Sequence, residues 1–370
     1  MKEAVGIGVV GSGAIGQRAA MMHLSKADVQ DRVRLAAVCD PVAGRAEAAA
    51  KKYGVAAHYL TYEELLADPH VDMVTICTPI GLHFAQGMQA IEAGKHIHFN
   101  KTMTTTTAEA DQIIAAAAKK GVKIIASPGM ILYPHNQRER RLILNHELGD
   151  LAWVLSGASG VGDYHMNEEY RTGKDILTGV NPAWYYQKPG GGPQYDVTVY
   201  CLEILTAILG PAKRVTAMSG MLIPERDYHG EKIACNMDDT TMLTLDFGDS
   251  LFAMVYATTQ GGVTEGFQPN IYGRKASIVG TMFGERDLKQ PNDFPPHVTG
   301  EHCQMIEPHV FEDLMQLTDW VRDGRPSIVT VEHARHVIEI IETGYTAART
   351  GQAQELRTSF TPLPLEALAE

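Results

Sequence analysis

A short apolar run followed at once by spaced glycines constrains this chain more than any other feature. Residues 4–10 (AVGIGVV) are apolar and rich in valine and isoleucine, the pattern of a buried strand. GSGAIG follows without a break, so Gly11, Gly13 and Gly16 form G-x-G-x-x-G, and residues 14–27, opening with Ala14 and Ile15, read as a helix. A strand that turns on glycines into a helix brings unpaired backbone N–H groups against a phosphate. One glycine allows the tight turn, the next lets the backbone approach a pyrophosphate, and the last lets helix pack on strand. The expected ligand is a dinucleotide.

A second strand, residues 33–39, ends in Asp40, at roughly the 20-residue distance at which a carboxylate takes the adenosine ribose hydroxyls. Such a carboxylate repels a 2′-phosphate, which favours NAD over NADP. Asp40 also suits a helix N-cap before Pro41, and Arg45 is near enough to accommodate a 2′-phosphate, so both alternatives stay open. Strands at 72–78, 96–100 and 123–127 alternate with helices at 82–93 and 108–120. This alternation predicts a parallel sheet with helices on both faces, and ligands beyond the carboxyl ends of its strands. Thr78, Pro79, Asn100 and Lys101 fall at those ends.

After Pro128 the alternation stops. A helix at 137–148 and a strand at 151–158 lead into a polar and aromatic segment, 160–192, of the length and composition that wall a substrate pocket. A helix at 195–209 is followed by strands at 215–223, 241–247, 251–258 and 271–279, the pattern of a largely antiparallel sheet with one face left open. Helices at 310–322 and 331–350 can fold back on the first half. The expected fold is α/β plus α+β: a Rossmann domain over residues 1–128 and an α+β domain for substrate and oligomerisation over 129–370.

Composition narrows the partners. The 370 residues carry a formal charge of −12 and no cluster of Lys or Arg beyond a few residues, so the footprint that nucleic acid or an anionic membrane requires is missing. Five cysteines at wide spacings fit thiols in a reducing compartment rather than a disulfide framework. No apolar run approaches ~18 residues, and no cleavable leader is seen, so a cytoplasmic location is expected. His96 with His98, and His302 and Cys303 with His309, match no known ligand spacing, and no metal is expected.

GSGAIG, CDP at 39–41, CTPIGLH at 77–83, AGKH at 93–96, GGGPQYD at 190–196 and the terminal helices follow one another as in the Gfo/Idh/MocA oxidoreductases, which the chain resembles over nearly its whole length. The resemblance implies that Lys101 is the catalytic lysine facing the nicotinamide. The family pattern there is Glu-Lys-Pro, whose glutamate helps hold the lysine and whose proline fixes the turn, often through a cis bond. Here Asn100-Lys101-Thr102 removes the carboxylate and the proline. A second signature, Asp followed four residues later by His, is met by Asp196 with Tyr200, as in sugar dehydrogenases of the family that carry Asp-x-x-x-Tyr-Cys.

The implied cofactor set is Gly11, Gly13, Ala14, Ile15, Gly16, Asp40, Thr78, Pro79, His83, Asn100 and Lys101, for NAD before NADP. Lys101 and Tyr200 are the implied acid–base pair, with Lys101 lowering the Tyr200 pKa and Asp196 converging from one helical turn away. Tyr164, His165, Arg171, Lys174, Trp184 and Tyr185 resemble a carbohydrate site of aromatic faces and cations. The expected reaction moves a hydride between a secondary alcohol of a sugar or cyclic polyol and nicotinamide. A glycosidase that oxidises its sugar transiently, and a non-catalytic NAD sensor, remain as alternatives. A homodimer or homotetramer through the open sheet face is also expected.

Overall fold

The computed structural model describes residues 3–159, 164–166, 168–169, 171–259 and 267–370. Its first half begins with β1 (Val5–Val10), buried at every position, as a strand covered by helices on both faces must be. A wide-turned helical segment, Gly16–Met21, runs into α1 (Met22–Leu24). β2 (Val33–Cys39), α2 (Arg45–Tyr53), β3 (Ala57–Tyr59), α3 (Tyr62–Ala67), β4 (Met73–Ile76), α4 (His83–Glu92), β5 (His96–Phe99), α5 (Thr107–Lys120) and β6 (Ile124–Ala126) follow. The strands form a parallel sheet in the order β3-β2-β1-β4-β5-β6. Chain direction across the sheet reverses beside β1, which opens a crevice at the strand ends. α5 shows how local chemistry sets an element: Thr106 and Glu109 make a capping box at its start, and Gly121, at φ 70°, ends it.

The second half carries α6 (Pro134–Leu144) and β7 (Leu151–Ser159). A wide-turned segment, Gln194–Thr198, then leads into α7 (Val199–Leu209). β8 (Arg214–Gly220), the hairpin β9 (Glu225–Tyr228) and β10 (Glu231–Ala234), β11 (Thr240–Gly248), β12 (Leu251–Thr258), β13 (Asn270–Gly273), β14 (Ser277–Val279), β15 (Met282–Phe283) and β16 (Arg286–Asp287) come next. α8 (Pro308–Asp323), α9 (Val331–Thr350) and β17 (Gln354–Glu355) complete the chain. The second sheet has nine strands in the order β16-β15-β14-β13-β7-β12-β11-β8-β17. All its pairs are antiparallel except β12 with β7. Leu202, Leu205, Ile340 and Ile341 of α7 and α9 pack on Leu243, Leu245 and Val255 of one face. The other face presents Trp153, Met218, Met242 and Phe252, with Met218 opposite Met242 and Trp153 opposite Phe252.

α8 packs on the first sheet. Its Phe311, Leu314, Met315 and Leu317 join Ile7, Met21 and Ile125 in one core. A buried polar line crosses the same contact: His98 Nε2 meets Ser127 Oγ at 2.9 Å, and Ser127 donates to Asp313 at 2.5 Å.

Several expected bounds shift. α6 ends at Leu144 rather than 148, because the chain turns through His146 and Gly149, both at positive φ. The strand expected over 271–279 is two, since Gly273 and Ala276 close a turn between β13 and β14. Residues 45–67, not assigned from the sequence, hold α2, β3 and α3.

Candidate active site

Beyond the carboxyl ends of the first sheet lies a cleft of about 700 Å³, lined by Gly11, Gly13, Ala14, Ile15, Asp40, Thr78, Pro79, Asn100 and Lys101 among others. Gly11 sits at φ 93°, where a β-carbon would crowd the Cys77 carbonyl at 3.0 Å. At Gly16 a β-carbon would fall 1.9 Å from the Gly11 carbonyl oxygen, so this glycine packs helix against strand rather than lining the cleft. A β-carbon on Gly13 would meet nothing nearer than the Val180 methyls at 3.8 Å. Without side chains at Gly11 and Gly13 the loop presents bare backbone to the cleft, as close approach of a dinucleotide needs.

Asp40 is buried, and its carboxylate accepts the Ser12 N–H at 2.9 Å and the Val42 N–H at 3.0 Å. It is not a helix cap, because α2 starts after Gly44. Thr78 lines the cleft and donates to Gln86 at 2.5 Å. His83 does not line it. Its ring spans the Thr78 carbonyl at 2.9 Å and the Thr102 carbonyl at 2.7 Å, bracing two strand ends, and burial lowers its pKa.

A second chamber, of about 410 Å³, adjoins the cleft, and Ile15, Asn100, Lys101, Arg171 and Asp196 line both. Lys101 Nζ donates to the Asp196 carbonyl at 2.6 Å and to the Asp196 carboxylate. Asp196 thus supplies the carboxylate that Asn100 lacks. Asn100 instead accepts the Lys101 N–H at 2.8 Å through Oδ1, and its buried Nδ2 has no hydrogen-bond partner among the described residues. The Lys101–Thr102 bond is cis although no proline is present. The other Asp196 oxygen takes His165 Nε2 at 3.1 Å, and burial drives the His165 pKa well below its usual value, leaving a neutral ring.

Tyr200 stands beside Lys101, its ring centroid 5.3 Å from Nζ, but its hydroxyl turns to His309 Nε2 at 3.0 Å. Burial first, then Glu307 and Asp196, push loss of the Tyr200 proton well above the ordinary phenol range. Any lowering of the Tyr200 pKa by Lys101, as the sequence led one to expect, is outweighed: in a desolvated pocket with two carboxylates nearby, one ammonium does not decide the balance. His309 is lowered by burial and so stays neutral, with Glu307 at 3.8 Å. Burial alone would raise the Glu307 carboxyl, yet His309, Lys101, Arg18 and Arg171 together hold it below its usual value.

Trp184 lines the cleft and meets His165 edge-on, and His165 itself lines the cleft. Tyr185 does not reach either cavity. It is fully buried and stacks on His165 with centroids 3.5 Å apart, so it supports rather than binds. Lys174 is exposed and lines neither cavity, because the turn that carries it points outward. The side chain of Tyr164 lies outside the described residues. Sequence reasoning missed Arg18, Glu307 and His309 as chamber residues. One local signal existed: Glu307-Pro308-His309 opens α8 with proline in its first turn, and Glu307 adopts φ 57°, a rare conformation for a residue with a β-carbon.

A dinucleotide cleft at the switch point of a parallel sheet, opening into a charged chamber roofed by a second domain, defines a pyridine-nucleotide oxidoreductase of two-domain build. The chain belongs to the Gfo/Idh/MocA family. Residues 5–127 match the model of its NAD-binding Rossmann fold, and residues 140–356 match that of its C-terminal alpha/beta domain. It is 25% identical over 372 residues to D-glucoside 3-dehydrogenase of Escherichia coli, covering 95% of this chain and 97% of that one. Identity to scyllo-inositol 2-dehydrogenase (NADP(+)) of Bacillus subtilis is 24% over 376 residues, 94% of each. The WlbA dehydrogenase of Bordetella pertussis, solved with NADH and UDP-GlcNAcA, shares the fold with a TM-score of 0.75 at 18% identity, over 96% of this chain and 99% of that one. Among the described residues no helix is long and apolar enough to cross a membrane.

Proposed function

We propose that this oxidoreductase moves a hydride between a secondary alcohol of a sugar, sugar derivative or cyclic polyol and NAD, with Lys101 and Tyr200 as the acid–base pair. One observation carries the reading: Lys101 and Asp196 line both the dinucleotide cleft and the chamber, so a substrate in the chamber would meet cofactor and acid–base groups at one point. NAD, when bound, supplies the hydride acceptor. Lys101, steered by Asp196, donates a hydrogen bond to the reacting oxygen and offsets its developing charge. Tyr200 acts as a protonated relay rather than a phenolate. It takes the substrate hydroxyl proton as its own proton passes to neutral His309, where Glu307 favours the imidazolium that forms.

The chamber mixes the charged groups with Phe267, Met130 and Val310, a lining suited to a polyhydroxylated ring with one less polar face. The named activities of the E. coli and B. subtilis relatives, on a glucoside and an inositol, support that substrate class. Asp40 at the ribose end supports NAD over NADP. Residues 1–128 supply most of the cofactor cleft and 129–370 most of the substrate chamber, in a reducing cytoplasm that suits the five free thiols.

Incubating the protein and NAD with a panel of sugars, glycosides and cyclic polyols should yield NADH with at least one. NAD binding with no NADH from any member would sink the reading, and free sugar released from a glycoside without NADH would move it to transient oxidation. Self-association through the outer sheet face is proposed on Met218, 73% exposed, beside Trp153, Met242 and Phe252. Light scattering should show a dimer or tetramer at micromolar concentration, and a monomer there refutes it.

A further inference from the structure

Residues 171–182 of the second half cross to the first. Gly179, Val180, Asn181 and Pro182 line the cleft together with Gly11, Gly13, Asp40 and Arg45. The nearest atoms to a β-carbon built on Gly13 are the Val180 methyls, at 3.8 Å, so this segment closes onto the glycine loop at the rim of the cleft.

Two side chains of the first half hold the segment there. Gln17 Nε2 donates both to the Ser12 carbonyl of the glycine loop, at 2.9 Å, and to the Leu177 carbonyl, at 2.8 Å. Arg45 Nε donates to the Ile176 carbonyl at 2.9 Å and its Nη2 to the Gly179 carbonyl at 2.8 Å, while its Nη1 stands 3.6 Å from Asp40. The segment is also internally braced. Thr172 pairs with Gly179, and the exposed Asp175 carboxylate accepts the Leu177 and Thr178 N–H groups at 2.8 and 3.1 Å. His229 Nε2 ties its base to the hairpin through the Thr172 carbonyl at 2.9 Å.

We propose that residues 171–182 are a strap over the adenosine half of the cofactor cleft, latched by Gln17 and Arg45, and that cofactor exchange requires the latch to open. The dinucleotide would lie in the cleft below the strap, so leaving means displacing a segment that, among the described residues, Gln17 and Arg45 hold through three hydrogen bonds, two of them from a guanidinium. At its start the strap also reaches the chamber, through Arg171. In this structure the Arg45 donors are directed to the strap and to Asp40. Gln17 and Arg45 are positioning residues, acting on the cofactor through the strap.

The test is the release of NADH from the loaded protein, followed by loss of bound-NADH fluorescence on rapid mixing with excess NAD. Arg45→Leu, which removes two charge-assisted bonds, should speed release on the order of 10–100-fold. Gln17→Leu should speed it about 3–10-fold. Arg45→Lys should fall between Arg45→Leu and the parent, because lysine keeps a charge beside Asp40 but lacks the planar fork that reaches two carbonyls. Asp175→Ala changes only an exposed side chain on the strap, so it keeps the test decisive if a latch variant fails to fold. It should speed release about 2–5-fold. Release rates equal to the parent's in Arg45→Leu and Asp175→Ala, with NADH still bound at the outset, would overturn the latch. No substrate enters the measurement, so that result would leave the sugar reading untouched.

Discussion

The dinucleotide cleft and the chamber beside it meet at Lys101, yet one presents backbone and the other side chains. Gly11 and Gly13 present main chain to the cleft, and even Asp40 is organised by the N–H groups of Ser12 and Val42. In the chamber Lys101, Asp196, Tyr200, His309, Glu307 and Arg18 come from strand ends, helix starts and loops far apart in the chain. A backbone site is specified by what is missing, a β-carbon, so a few adjacent glycines suffice to encode it. A side-chain site is specified by convergence, and its chemistry depends on mutual burial, which pushes loss of the Tyr200 proton up and protonation of His309 down.

The sharpest way to separate the two regions is Lys101→Ala. Turnover should fall by a factor on the order of 10²–10⁴ while the NAD dissociation constant stays within about twofold, since cofactor grip belongs to the cleft and proton handling to the chamber. An active variant, or one that loses NAD, breaks the division. His309→Gln should cost less, about 10–100-fold in kcat/KM, and should change the pH profile. In the parent, activity should fall with falling pH if His309, once protonated, ceases to accept a proton from Tyr200. Because burial lowers its pKa, that acid limb should lie below ~6.5, the value for free histidine. The variant should lose this limb; an unchanged limb would show that another group titrates. The smallest effect belongs to the cleft: Asp40→Ser should shift the ratio of NAD to NADP affinity towards NADP by about tenfold. Equal affinities already present in the parent would show that Asp40 does not discriminate.

The same contrast explains what could be read from the sequence. β1, the glycine loop and α9, whose bounds match the expectation of 331–350, are governed by local periodicity and caps. Asp196 and Tyr200 were legible as one helical turn, and both do line the chamber. The partners of Tyr200 were not. His309 reaches it only because α8 docks on the first sheet, a contact between residues 109 positions apart that no spacing rule reports. Lys174 and Tyr185 were misplaced for the opposite reason: composition marks a segment as polar and aromatic but cannot say which side chains face inward. The hairpin of β9 and β10 and the short β3 escaped because two four-residue strands and one of three lack the length for a period to register.

α8 belongs to the second half by chain position and to the first by packing, and this bears on synthesis. A ribosome that has just completed β6 has made a parallel sheet whose face around Ile7 and Ile125 is still bare. The helix that covers it with Phe311 and Leu314 is encoded well downstream, and at roughly 5–20 residues per second it arrives on the order of ten seconds or more later. Until then His98 and Ser127 also wait for Asp313, the third member of their buried line. The nascent first half is thus a client for anything that shelters apolar surface at the exit tunnel. A gene fragment stopped after residue 128 would keep the glycine motif intact and still yield an aggregating product.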